Sequence, residues 1–365
     1  MKSSPSISII ANFYNSERFI PKLIKSIAGQ SFRDWELICV NDCSPGNDQE
    51  IINKEITKLR ISDKVKLINN EVNLGISRAK MVGIKVAQGD YLTFIDGDDW
   101  LAPDALEKLI KPALKHDLDL VVMNNYKILP CFNYKILYRS QVDEFDKVLR
   151  YPEIFEKYYI NFFGINIFSV TYWGKLYKRD LVLKANFVPP ADSISEDELF
   201  NLTVFPHVRS MMFIDYAGYY WRWGGITSGK KNDIWTSQKY LPRMLEIYHL
   251  RKDLIDKYNY NKAFKYLVIE LKNILKTCIS SLAKYKSSST DGAEIIKYIE
   301  TILKDPAYND VKILQGDGRY RDDTFIEAIC RKDALSVYEI CHLDYKKRWR
   351  SRMVKSLLHI LIYGV

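Results

Sequence analysis

Tyr91-Leu92-Thr93-Phe94-Ile95-Asp96-Gly97-Asp98-Asp99-Trp100 is a run of strand-forming residues that ends in three carboxylates within four positions. Side chains alternate along an extended chain, so Asp96 and Asp98 project to one side and Asp99 turns away. Two carboxylates held this way repel each other unless a cation lies between them. Hard oxygen ligands suit Mg²⁺ or Mn²⁺, and such ions also take oxygens from a phosphate-bearing substrate. An isolated Asp-x-Asp is most often a polar turn, so its surroundings decide the reading.

Working outward, Ile7–Ala11 reads as a first strand, followed by a helix with Phe19, Leu23 and Ile27 at four-residue spacing. Asn15 or Ser16 is the expected cap, and Pro21 is tolerated early in the helix. Trp35–Val40 is a second strand ending in the turn-rich Asn41-Asp42-Cys43-Ser44-Pro45-Gly46. A helix near 49–58, a strand at Val65–Ile68 and a helix over Ser77–Ala87 lead to the quoted stretch. A helix over Pro103–His116 and a strand at Leu118–Met123 follow it. Alternating strands and helices predict an α/β fold with a mostly parallel sheet flanked by helices. Ligands in such sheets bind beyond the carboxyl ends of the strands. Asn12–Asn15, Asn41–Ser44 and Asp96–Asp99 then share one rim, which makes the carboxylates a candidate site.

Four segments in this order resemble a family 2 glycosyltransferase of the GT-A (Rossmann-like) fold, the inverting type common in bacterial polysaccharide assembly. They are Ile9-Ile10-Ala11-Asn12-Phe13-Tyr14-Asn15, Val40-Asn41-Asp42-Cys43-Ser44, Asn73-Leu74-Gly75-Ile76-Ser77-Arg78-Ala79-Lys80-Met81-Val82-Gly83 and Gly89 through Asp99. The resemblance runs from about Ile7 to Ser228. It implies that Ala11, Asn12, Phe13 and Asn15 line a nucleotide pocket and that Asp42 meets the base, a carboxylate being a suitable acceptor for a uracil imide N–H. It also implies that Asp98 is the main ligand of Mn²⁺ or Mg²⁺, with Asp96 near the ribose or reaching the metal, and Gly97 between them. The family's usual Arg is replaced by Lys80, which keeps the charge but loses the bidentate fork. Arg78 lies about 200° away around a helix, so one of Lys80 or Arg78 is expected at the nucleotide, not both.

Further on, Tyr172-Trp173-Gly174-Lys175-Leu176-Tyr177 resembles the family's Trp-x-Lys-Leu-Tyr segment before the acceptor region, which points to Trp173 and Lys175 as acceptor or sugar contacts. Ser195-Glu196-Asp197-Glu198-Leu199-Phe200 matches Glu-Asp-x-x-Phe, which implies a base for the acceptor hydroxyl: Asp197 first, Glu196 second. Tyr219 through Ser228 matches a Tyr-x-x-Arg…Ser segment, with Arg222 on the donor diphosphate or a charged acceptor and Gly224-Gly225 in a closing loop.

The 365-residue chain carries a net charge of +9 and six scattered cysteines without a Cys-x-x-Cys pair, as expected of free thiols in a reducing cytosol. No segment reads as a membrane span or a secretory signal. Residues 236–344 read as mainly helical. In 345–365 a basic run precedes an amphipathic pattern with Trp349 on its apolar side, which suits an anionic membrane surface or a second subunit. The expected organisation is a nucleotide-sugar half at 1–125, an acceptor half at 126–235, a helical region at 236–344 and a membrane-associating helix at 345–365. The expected protein is a cytoplasmic enzyme, peripheral on the inner face of the membrane. It would move a hexose from a UDP-sugar to a saccharide or lipid-linked acceptor, with no nucleic-acid partner and with homo-oligomerisation open. A non-catalytic scaffold of this fold or a sugar nucleotidyltransferase is the alternative.

Overall fold

The structure, a computed structural model, describes residues 4–129, 134–140, 142–154, 157–158, 170–190, 192, 194–224, 239–285 and 289–344. The 345–365 segment and Gly225–Ser228 lie outside the described residues. The chain divides into two compact units, Met1–Lys231 and Asn232–Val365.

In the first unit, β1 (Ile7–Phe13) leads to α1 (Ile20–Ala28), β2 (Trp35–Asn41), α2 (Asp48–Lys58), β3 (Val65–Asn69), α3 (Ile76–Val86) and β4 (Tyr91–Asp96). β5 (Trp100–Leu101), α4 (Ala105–His116), β6 (Leu120–Leu129), β7 (Tyr134–Tyr138) and β8 (Leu149–Arg150) follow. Then come β9 (Lys175–Lys178), α5 (Arg179–Ala185), α6 (Glu196–Val204) and β10 (Ser210–Arg222). The strands form one sheet in the order β3-β2-β1-β4-β9-β6-β10-β5, with β7 on β6 and β8 on β10. β1, β2, β3 and β4 are parallel neighbours, and β10 runs parallel to β6. β9 enters antiparallel between β4 and β6. This interruption has no counterpart in the sequence pattern, because it depends on a segment that returns after residue 170.

β1 and β2 are apolar along almost their whole length and buried on both faces, as a central parallel strand requires. Ile20, Leu23, Ile24 and Ile27 of α1 seal one face. The expected cap at Asn15 or Ser16 does not form. Helix α1 starts at Ile20, because the Ser16 carbonyl accepts from the Phe19 and Ile20 amides in a preceding turn. The Ser16 amide is meanwhile drawn to the Asp48 carboxylate at 2.9 Å. Tertiary bonding here overrides a local capping preference.

The second unit is helical: α7 (Tyr240–Tyr258), α8 (Asn261–Tyr285), α9 (Ser289–Ile302), a 3₁₀ stretch at Pro306–Gly316 and α10 (Thr324–Cys330). A pair between buried Arg251 and half-buried Glu270 at 2.9 Å ties α7 to α8. No described helix is long and apolar enough to cross a membrane.

Candidate active site

Register fixes the rim. Asn12 stands beside Asp96 on β4, and Phe13 stands beside Asn41 on β2. The loops after β1, β2 and β4 therefore meet at the carboxyl edge of the sheet. Close approach is enforced at Gly97, where an added Cβ would lie 2.7 Å from the Asn12 carbonyl oxygen and 2.8 Å from Ser16 Oγ.

Asp42 is buried and bonded. Its Oδ1 accepts from Asn70 Nδ2 at 2.8 Å and from the Leu74 amide at 2.9 Å, while Oδ2 accepts from the Gly75 amide at 2.8 Å. Gly75 has φ 82°, a left-handed conformation that lets the chain turn into α3. Asp42 thus clamps the loop that launches α3. Asn12, also at this edge, has a buried Oδ1 without a hydrogen-bond partner among the described residues.

Of the three clustered carboxylates, Asp99 turns inward, as alternation requires, and Asp96 and Asp98 stay half-buried at the rim. Tyr219 Oη donates to Asp99 Oδ2 at 2.7 Å, and the Arg222 amide donates to Asp99 Oδ1 at 2.8 Å. Arg222 Nε in turn donates to the Asp98 carbonyl at 3.0 Å. Burial, with Asp98 and Asp96 nearby, pushes the Asp99 carboxyl well above the usual range. This tie between the turn and β10 was not foreseen from sequence.

Lys80 is buried and pairs with Asp96 Oδ1 at 2.8 Å, 4.4 Å above the Tyr172 ring. Burial alone would lower its pKa, but Asp96, Asp197 and Glu196 together outweigh that and raise it. Arg78 lies on the exposed side of α3. The structure therefore brings Lys80 to the carboxylates and leaves Arg78 outside.

Asp197 and Glu196 open α6, after Ser195 takes a left-handed φ of 52°. Burial pushes Asp197 up to about 6, with Lys80 pulling down, Asp96 pushing up and Lys175 pulling down. Glu196 rises to about 8 from burial and from Asp197, and its Oε2 is buried without a partner among the described residues. Of the two adjacent carboxyls, Asp197 has the lower pKa and so ionises first as pH rises. Lys175 is fully buried, and burial lowers it to about 7 against the pull of Asp197. Its Nζ donates to the Thr171 carbonyl, with the Asp197 charge nearby. The Trp173 ring stacks on Tyr219 at 4.4 Å and is only 8 % exposed, so most of its surface belongs to the core.

Among the described residues, no three or more His, Cys, Asp or Glu side chains are grouped to hold a metal ion. Asp96 and Asp98 supply two hard oxygen donors. That fits a Mg²⁺- or Mn²⁺-type ion only if diphosphate oxygens complete its shell.

Residues 8–184 match the family described as Glycosyl transferase family 2. The chain is 26 % identical to glycosyltransferase GlyA of Streptococcus pneumoniae, with 96 % of this chain and 50 % of that protein covered. It is 32 % identical to the uncharacterized glycosyltransferase EpsJ of Bacillus subtilis over 60 % of this chain and 61 % of that one. The chain thus spans about half to three-fifths of the length of these curated relatives. Among solved structures, residues 1–349 of S. aureus TarS in complex with UDP-GlcNAc share the fold. The TM-score is 0.66 at 18 % identity, over 94 % of this chain and 92 % of that one.

Proposed function

The chain carries, over residues 8–184, a domain that belongs to glycosyl transferase family 2, and from that premise we propose that it transfers a hexose from a UDP-sugar to a hydroxyl of a saccharide or lipid-linked acceptor in bacterial polysaccharide synthesis. The observation that carries this reading is the convergence of Asp96, Lys80 and Asp197, from β4, α3 and α6, on one charged centre beside the rim. The UDP-GlcNAc bound in the TarS structure supports a uridine diphosphate donor for a protein of this fold.

In this reading the segment Ala11–Phe13, with Asn15, lines the base pocket. Asp42 Oδ2 takes one backbone amide, which leaves a lone pair for the uracil imide. Lys80 faces the diphosphate, and Arg222 borders the turn from the Asp98 side. A divalent cation held by Asp98 and Asp96 would neutralise the charge that develops on the departing diphosphate. Asp197 accepts the proton from the acceptor hydroxyl. The hydroxyl oxygen bonds to the anomeric carbon, and the bond from that carbon to the diphosphate breaks on the opposite face, inverting the centre. Lys175 sets the charge around Asp197.

The direct experiment is a donor panel of UDP-, GDP- and dTDP-sugars with Mn²⁺, with EDTA, and with Asp98→Ala. Turnover of one UDP-sugar is expected, with EDTA or the variant reducing it by about 100-fold or more. Metal-independent turnover would remove Asp96 and Asp98 from the metal role. If calorimetry detected no nucleotide binding, the scaffold reading would replace catalysis.

A pH dependence follows from Asp197. Its pKa is raised to about 6, so falling pH protonates the base early, and kcat/KM is expected to drop about tenfold per unit below pH 6. A profile flat from pH 5 to 7 would take Asp197 out of the base role. We further propose that the 345–365 segment holds the protein on an anionic membrane surface. Vesicle sedimentation of the full chain against one ending at Asp344 tests this, and equal sedimentation would refute it.

A further inference from the structure

On the α1 side of the carboxylate turn, four cations converge on four aromatic rings. Trp100, Tyr220 and Tyr126 form a stack, with centroids 5.4 and 5.6 Å apart and planes within 15°. Lys22 Nζ sits 3.2 Å above Trp100, and Lys135 Nζ lies 5.2 Å from Tyr220. The Arg222 guanidinium is 4.8 Å from Trp100 and 4.9 Å from Phe19, and Arg18 lies 4.4 Å from the same Phe19 ring. These groups come from α1, the segment just before it, β5, β6, β7 and β10, so the fold assembles them deliberately at one place.

The rings account for each cation singly, since a cation over an aromatic face is attracted to it. They do not offset the mutual repulsion of the cations, and among the described residues nearby carboxylates, Asp98 and Asp99, act on Arg222 alone of the four. Burial lowers the Lys22 pKa, and Arg222 and Lys135 lower it further. Among the described residues, Arg18, Lys22 and Lys135 form no ion pair with a carboxylate. Several cations of two geometries facing one space suit an anion with several oxygens better than a single carboxylate. In the transferase reading the donor diphosphate is met by Lys80, which lies over the Tyr172 ring and pairs with Asp96. Asp96 follows Phe94 in alternation, and Phe94 packs against Tyr172 and Phe200 on the Lys80 and Asp197 side.

We propose that Arg18, Lys22, Lys135 and Arg222, set on the Trp100–Tyr220–Tyr126 stack, form a phosphate-binding site for the acceptor, making the acceptor a phosphate-bearing molecule. The assignment to the acceptor rests on the transferase reading; the binding of phosphate does not. Arg222, bonded to the Asp98 carbonyl, joins this site to the carboxylate turn.

Calorimetry on the full chain with farnesyl phosphate, glycerol 1-phosphate, farnesol and UDP tests the site, comparing the unaltered protein with Lys22→Gln/Lys135→Gln. Both replaced side chains are exposed, so folding is expected to be intact. Both phosphates should bind the unaltered protein and bind the double variant about 25-fold more weakly, about fivefold for each charge removed. UDP affinity should not change. Tighter binding of farnesyl phosphate than of glycerol 1-phosphate would identify a lipid-linked acceptor, and equal binding a soluble phosphate-bearing one. The proposal is overturned if neither phosphate binds, if the double variant binds them unchanged, or if farnesol binds as well as its phosphate. It is also overturned if UDP affinity falls in step, since the cluster would then belong to the donor. Loss of UDP binding by the unaltered protein, with phosphate binding intact, would sink the donor reading and the assignment to an acceptor, and would leave the phosphate site itself standing.

Discussion

Asp197→Asn is expected to lower kcat by roughly 10²–10⁴-fold while UDP affinity and folding are retained. The amide has the shape of the carboxylate but cannot take a proton at neutral pH. Folding should not suffer, because burial already disfavours the ionised form of Asp197, as its raised pKa of about 6 reflects. Glu196→Gln is the informative companion. Burial and the adjacent Asp197 push Glu196 up to about 8, which favours its neutral form at pH 7, so replacing it by a neutral amide should change the rate far less. Steady-state kinetics on both variants decide between them. A large loss in Glu196→Gln, with Asp197→Asn near the unaltered rate, would reverse the two roles.

Lys80→Met should damage both stability and catalysis. Breaking a buried ion pair from one side commonly costs about 3–5 kcal/mol. Asp96 keeps 31 % of its side-chain surface in contact with solvent, so about 2 kcal/mol is the expected loss here. Urea unfolding measures it. The second effect is electrostatic: Lys80 is the main group holding the Asp197 pKa down. Its removal must raise that pKa, so the acid limb of the rate profile should move to higher pH. An unchanged limb in a folded variant would mean that Lys80 does not govern the base. Lys80→Arg separates the two effects, because it restores the charge without restoring the fit.

What could be read from sequence follows the range of the interactions. β1 through α4 are governed by local periodicity, and Trp35–Val40, Val65–Ile68 and Tyr91–Ile95 are strands where the apolar runs place them. The rim follows from that order, because parallel strands put their carboxyl ends together. The choice of Lys80 over Arg78 was not legible. Both lie on α3, and only the packing of that helix against the sheet decides which one is buried. The inward turn of Asp99 followed from alternation, whereas its partners Tyr219 and Arg222 did not, since no local pattern links residues more than a hundred positions apart. The same holds for Lys22 on Trp100, which reads in sequence as an ordinary exposed helix lysine.

The bonds from Asp99 to Tyr219 and Arg222 bear on how this protein can be cut. A fragment ending near residue 125, or at the end of the family match at 184, would contain every clustered acidic residue of the turn but none of β10. Asp99 would lose the hydroxyl and the amide that hold it inward, and a desolvated carboxyl without them would pull the turn toward water. A minimal fragment made to test the proposed nucleotide binding therefore extends through Arg222. Inactivity of a shorter piece would report a lost scaffold and would carry no information about chemistry.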